Sequence, residues 1–230
     1  MSLSELIAGV ESHRKTLTVY NADPSAAATL RERFTERNVA VESARTPEGP
    51  DAYAVLHRDG EFITAAALED VLARGEGGGN PILEYVDETT FTSYDTRQMV
   101  AASREIEDRA WRVGAGELHA GFQSVSVIET QLDTYEQLAG REGLAVHAYG
   151  YPDAAVPDHE GFTIHVERAE EIRDSWFVVY DGDGDDARKC ALLAEEREPR
   201  SFYGFWTYDP DTVDWIIDHL QSAYGLVEPT

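Results

Sequence analysis

Three histidines fall at comparable places on three segments that alternate apolar and polar residues, and imidazoles so placed can ligate a metal or line a polar pocket. In 117–123, Leu118, Ala120 and Phe122 take one side of an extended chain, leaving His119, Gly121 and Gln123 on the other. In 144–149, Leu144, Val146 and Ala148 oppose Ala145, His147 and Tyr149; in 162–166, Phe162, Ile164 and Val166 oppose Thr163 and His165. Were these strands neighbours, the histidines would share one polar face with Gln123, Tyr149 and Thr163. A pocket for a small ligand built from His119, Gln123, His147, Tyr149 and His165 is the resulting site expectation. No metal is expected, because no close spacing such as His-x-x-x-His occurs. The plain alternative is a half-exposed sheet face, or one covered by the long helix described below.

Other chemistries fail on detail. The run DGDGDD, 181–186, has the composition of a calcium loop, but its sixth position is Asp186 in place of glycine and its twelfth is Leu192 in place of glutamate. It reads as a solvated acidic turn. GEGGGNP, 75–81, is no phosphate loop, since no Gly-Lys-Ser/Thr follows it. No Gly-x-Ser-x-Gly elbow exists, and the single Cys190, in an expected strand, reads as a buried thiol. Trp176, Phe202, Tyr203, Phe205, Trp206 and Tyr208 read as core, with a cofactor cavity as the alternative. No catalytic residue stands out, and the sequence names no cofactor.

The charge narrows the partners. With 44 acidic and 19 basic residues in 230, the net charge is −25, and the acids are spread along the whole chain. Such a surface suits high-salt cytoplasm, where self-repulsion is screened; docking of a basic partner would need a more local patch. No basic stripe is present to neutralise phosphates, which argues against nucleic acid. The N-terminus lacks a basic segment followed by an apolar core, and no run approaches a membrane span, so a cytoplasmic protein with no membrane association is expected.

Several elements must position these residues. Leu3–Ser12 reads as an amphipathic helix, 16–20 as a strand, Asp23-Pro24 as the start of a helix to Arg37, and 39–43 as the next strand. A hairpin of 52–57 and 61–64 and a helix 65–73 complete this part, and 75–81 forms a flexible boundary. Thr96–Val113 is the longest helix, striped by Met99, Ala102, Ser103, Ile106, Ala110 and Val113. The strand at 117–123, a helix 128–139, the strands at 144–149 and 162–166 and a short helix near Glu170 follow. Three strands, 176–180, 189–195 and 202–208, then form the middle of a sheet, and Asp209-Pro210 opens a last helix to Tyr224. The expected fold class is α/β: a small N-terminal βαβ-plus-hairpin unit (1–74), a linker and loop (75–95), and a larger mixed sheet flanked by helices (96–227). Both halves follow one plan, as a duplication would leave them.

The strings AASREIEDRAWRVG, LHAGFQ, EIRDSWFVVYDG, KCALLAEER and FYGFWTYDP resemble the DICT sensory domain, in its free-standing haloarchaeal form, over nearly the whole chain. The resemblance implies a signal-input module that works beside a histidine kinase or regulator. It supplies no established ligand and no catalytic residue. A kinase core, cyclase, hydrolase motif or DNA-binding output is not visible, so enzymatic activity is not the expectation. The reading is a sensory domain that binds a small molecule or a signalling partner and relays its state by protein contact. Helix 96–113 is the candidate relay or homodimer element, or merely a cover for the sheet. A ligand-free adaptor and, behind it, an enzyme on a small soluble substrate are the competing classes; a perturbed titratable group in a cleft would mark the latter.

Overall fold

A computed structural model of the chain describes residues 1–12, 15–34, 39–47, 49–58, 60–73, 82 and 90–225. The chain divides into two compact units, one of residues 8–92 and one of residues 1–7 with 93–230. Among the described residues, no helix is long and apolar enough to cross a membrane.

The unit 8–92 is built on β1 (Lys15–Tyr20), β2 (Val39–Ala44), β3 (Tyr53–Arg58) and β4 (Glu61–Ala67), in the order β2-β1-β3-β4. Strands β1 and β2 are parallel, while β3 is antiparallel to both β1 and β4. Helix α1 (Leu3–Ser12) precedes β1, and helix α2 (Pro24–Arg33) makes the crossover; the Asp23 carboxylate accepts from the Ser25 N–H, and Pro24 at the first helical position needs no donor partner. Leu17, Val19, Leu30, Phe34, Ala54 and Leu56 form its core. One expectation is corrected here: Ala65–Ala67 is strand, paired with Tyr53–Val55, so the short helix α3 spans only Leu68–Leu72. The ladder to β3 outweighs the helix preference of three alanines. The expected boundary 75–81 lies outside the described residues.

The larger unit carries a seven-stranded sheet, ordered β5-β11-β10-β9-β6-β7-β8. Its strands are β5 (Thr90–Asp95), β6 (Ala115–Ser124), β7 (Gly143–Tyr151), β8 (Thr163–Val166), β9 (Ser175–Tyr180), β10 (Cys190–Glu198) and β11 (Ser201–Thr207). Residues 90–95, assigned to a loop on sequence, thus form an edge strand. Helix α4 (Thr96–Val113) follows directly, opened by a reciprocal cap between Asp95 and Gln98 and closed by Gly114 in the left-handed region. The expected helix 128–139 is two pieces, α5 (Val125–Glu129) and α6 (Leu132–Ala139).

Alternation along the strands sorts the side chains to two faces. Leu118, Ala120, Phe122, Val146, Ala148, Val178, Tyr180 and Leu192 pack with Met99, Ile106 and Ala110 of α4, placing the main core on that side. Cys190 is buried there, its thiol pushed up to about 12 by burial and therefore unreactive. Helices α7 (Glu170–Asp174) and α8 (Pro210–Tyr224) lie on the other face, with Ile172, Val213, Ile216, Ile217 and Leu220 buried. The four central strands β7-β6-β9-β10 repeat the arrangement β2-β1-β3-β4: a parallel pair, with an antiparallel hairpin added beside its first strand. The plan expected for both halves is present in both sheets.

Candidate functional site

Parallel pairing of β6 with β7 sets His119 directly opposite His147, and β8 then sets His165 opposite Tyr149. Neighbouring strands lie about 4.8 Å apart, so side chains in register stack at that spacing. The His119 and His147 rings are stacked at 4.7 Å with an 11° interplanar angle, and Tyr149 stacks on His165 at 4.4 Å and 8°. His119, Tyr149 and His165 are buried and His147 is half-buried, on the face covered by α7 and α8 and not by the long helix α4.

The hydrogen bonds among these groups have a fixed direction, because both ends of the network can only accept. His119 Nε2 lies 3.3 Å from Glu117 Oε2, and its Nδ1 lies 2.9 Å from the Tyr149 hydroxyl. The ionised carboxylate accepts from Nε2–H, and in that single-proton tautomer His119 Nδ1 accepts from the Tyr149 O–H. On the second branch, His165 Nδ1 lies 3.0 Å from the carbonyl oxygen of Tyr224, so it donates. Its Nε2 then accepts from His147 Nδ1–H across 3.1 Å. One atom is left over: among the described residues, His147 Nε2 has no hydrogen-bond partner and carries an unshared pair.

The hydrogen bond from His119 holds the Glu117 carboxyl below the usual carboxylate range, with Gln221 Nε2 donating to the same oxygen at 2.8 Å. Burial, then the neighbouring His119 and His165, bring His147 down to about 4, and burial lowers His165 as well. Burial also raises the Tyr149 hydroxyl, keeping it a donor. The site sets three imidazoles, of which His147 and His165 are held below their ordinary range, beside one carboxylate, an arrangement able to take a cation or a hydrogen-bond donor.

Helix α8 is tied to the same network. Besides Gln221 and the Tyr224 carbonyl, the Tyr224 O–H and His219 Nε2 both bond Glu171 Oε1, the latter at 2.9 Å, and the Leu3 N–H donates to Glu171 Oε2 at 2.9 Å. Burial works against ionisation of Glu171, yet these bonds hold its carboxyl below the ordinary range. At the start of β6, the Asp181 carboxylate accepts from the Glu117 and Asp183 N–H groups at 2.7 and 2.9 Å. The acidic turn thus positions the backbone of Glu117.

Of the residues expected at the site, His119, His147, Tyr149 and His165 meet and Gln123 does not. A register shift between Gly121 and Ser124, with Gln123 at φ 62°, breaks the alternation. The Gln123 amide donates instead to Glu196 Oε2 at 2.8 Å. Glu117 was missed, although it stands two residues before His119 and so shares its parity. Glu107 of α4 was missed too; it lies four residues after Ser103, on the buried stripe. It lines a cavity of about 90 Å³ on the opposite face with Ser103, Arg104, Gln131, Tyr135 and Trp176. There the polar groups satisfy one another: Arg104 pairs with Glu107 at 2.6 Å, the Tyr135 O–H donates to Glu107 at 2.8 Å, and Trp176 Nε1–H donates to Ser103 at 3.0 Å. That internal closure makes this cavity the weaker candidate.

Comparison with known proteins gives one family. The model of a sensory domain in diguanylate cyclases and two-component systems, DICT, matches residues 81–197. No curated protein matches the chain. A solved polyphosphate kinase from Porphyromonas gingivalis aligns over 95% of this chain at 13% identity and a TM-score of 0.39, and the chain spans 47% of that structure. Nothing is transferred from that enzyme.

Proposed function

The chain belongs to the DICT family of sensory domains, and on that premise we propose that it is a cytoplasmic signal-input module whose ligand is read by Glu117, His119 and His147. The observation that carries this reading is the unshared His147 Nε2. A half-buried acceptor with no internal partner stands at the head of a directed chain of bonds, His147 to His165 to the Tyr224 carbonyl, ending on α8. A ligand that engages this nitrogen changes the position or polarity of His147, and α8 receives the change through His165 and through Gln221 on Glu117. The signalling step that follows is contact with a protein such as a histidine kinase or regulator, or with a second copy through α4.

Native mass spectrometry of the protein purified from its own host tests the reading. A retained non-covalent mass in the wild type that is lost in Glu117→Gln and His147→Gln, with both variants folded, supports it. A wild type with no retained mass, whose α8 is indifferent to these substitutions, favours an adaptor that reads no ligand.

A further inference from the structure

We propose that Glu117, His119 and His147 form a binding site for one divalent transition-metal ion of the zinc class, held by the two imidazole Nε2 atoms and the carboxylate. The inference rests on the reading above, that this face is the sensory site, and it names what the face takes. One ligand atom from each of the three residues lies within 4.8 Å of the other two. The ligands of a tetrahedral zinc shell are about 3.3 Å apart, given Zn–N bonds of about 2.0–2.1 Å. The Glu117 Oε2 to His119 Nε2 separation is already 3.3 Å. The His147 ring, stacked on His119 at 4.7 Å between centroids, brings the third ligand within the same 4.8 Å group.

The surrounding groups behave as the outer shell of such a site. A metal-binding imidazole almost always donates its second N–H to a fixed acceptor, which sets its tautomer and aim. His147 already donates Nδ1–H to His165, and His165 is itself fixed by the Tyr224 carbonyl, leaving His147 Nε2 as the ligand atom. For His119 the single ring proton passes from Nε2 to Nδ1 and is donated to the Tyr149 oxygen, 2.9 Å away, whose own O–H must rotate out of that contact. Gln221 Nε2 steadies the carboxylate from α8. Two imidazoles and one carboxylate suit zinc, nickel or cobalt rather than magnesium or calcium, which prefer all-oxygen shells. Three protein ligands also leave a tetrahedral ion one open position for water or a small molecule. The histidine spacing in sequence gives no sign of this site, because β6 and β7, and not a single helix, bring the ligands together.

The test is a titration of chelator-stripped protein, in molar KCl to suppress loose binding to the acidic surface, with Zn2+ competed against a chromophoric chelator and with Co2+ read by its visible absorption. The expected result is one ion per chain and a tetrahedral-type Co2+ spectrum. Glu117→Gln and His147→Gln should each weaken Zn2+ binding at least about 100-fold, more than the 10–100-fold typical of outer-shell changes. Glu117 is 40% exposed, so its amide variant should keep the fold if His147→Gln does not. No saturable binding in the wild type, or equal binding in the wild type and a folded Glu117→Gln, overturns the proposal. A retained organic mass lost in these variants, without Zn2+ binding, also overturns the metal while leaving the sensory reading intact. Stoichiometric Zn2+ binding with no response in α8 supports the metal and counts against the relay.

Discussion

Gln221, in the last turn of α8, and His119, in the centre of β6, meet on the same atom: both donate to Glu117 Oε2, at 2.8 and 3.3 Å. One carboxylate oxygen therefore joins a buried imidazole of the sheet to the end of a surface helix. Whatever draws Glu117 or His119 away must be felt by Gln221, and the second branch, through His165 to the Tyr224 carbonyl, ends one turn further along the same helix. Two routes converge on the end of one helix, the kind of two-ended contact a relay needs.

The first prediction concerns acid. In the metal-free protein His147 has a folded pKa of about 4 against an ordinary value of 6.5, with burial as the main cause. Above about 6.5 both folded and unfolded forms are neutral here, and the stabilisation is fully present. As pH falls from there towards 4, the unfolded chain binds a proton that the folded chain refuses, so stability declines; below about 4 the loss levels off. His165, also lowered, acts in the same direction. Unfolding by denaturant at pH 7 and pH 5 should show the wild type losing more stability than His147→Gln. Equal losses would show that His147 is not held neutral by the fold.

The second concerns the sheet. Gly204 of β11 faces β10 so closely that a Cβ would stand 2.0 Å from the Leu193 carbonyl oxygen and 2.4 Å from the Ala194 Cα. Backbone cannot yield as a flexible side chain would, so Gly204→Ala should cost about 3 kcal/mol, the upper part of the overpacking range. Denaturant melts read the cost directly. A cost below about 1 kcal/mol would mean that β11 lies farther from β10 than described.

The third follows from the net charge of −25. Raising ionic strength from 0.01 M to 1 M shortens the screening length from about 30 Å to about 3 Å, relieving repulsion between the spread-out acids. The thermal midpoint should rise strongly between dilute and molar KCl. A flat midpoint would remove the case for adaptation to salt.

The strand parities of His119, His147 and His165 could be read from the sequence because alternation is local: each residue's face is set by its immediate neighbours. Their meeting depended on strand order and register, which long-range pairing decides, and the sequence could pose this only as a condition. Gln123 was misplaced because a single residue at positive φ ends the alternation, and glutamine gives no warning of it. Cover of the histidine face by the long helix α4 was one form of the alternative to a pocket. Its stripe instead packs on the face of Leu118 and Ala120, while the polar face falls to α8, whose Gln221 and Tyr224 are unremarkable in sequence. The edge strand β5 was missed because a short strand among turn-forming residues carries too few apolar positions to show a period.

The coupling between the histidine site and α8 is tested most directly by backbone hydrogen exchange, followed by mass spectrometry, with and without Zn2+. Peptides covering 210–224 should change protection when the ion binds to the wild type. Gln221→Ala, which removes one exposed hydrogen bond worth about 1 kcal/mol, should still bind but show a reduced change. Saturating Zn2+ that alters exchange in β6 and β7 while leaving 210–224 untouched would contradict the coupling.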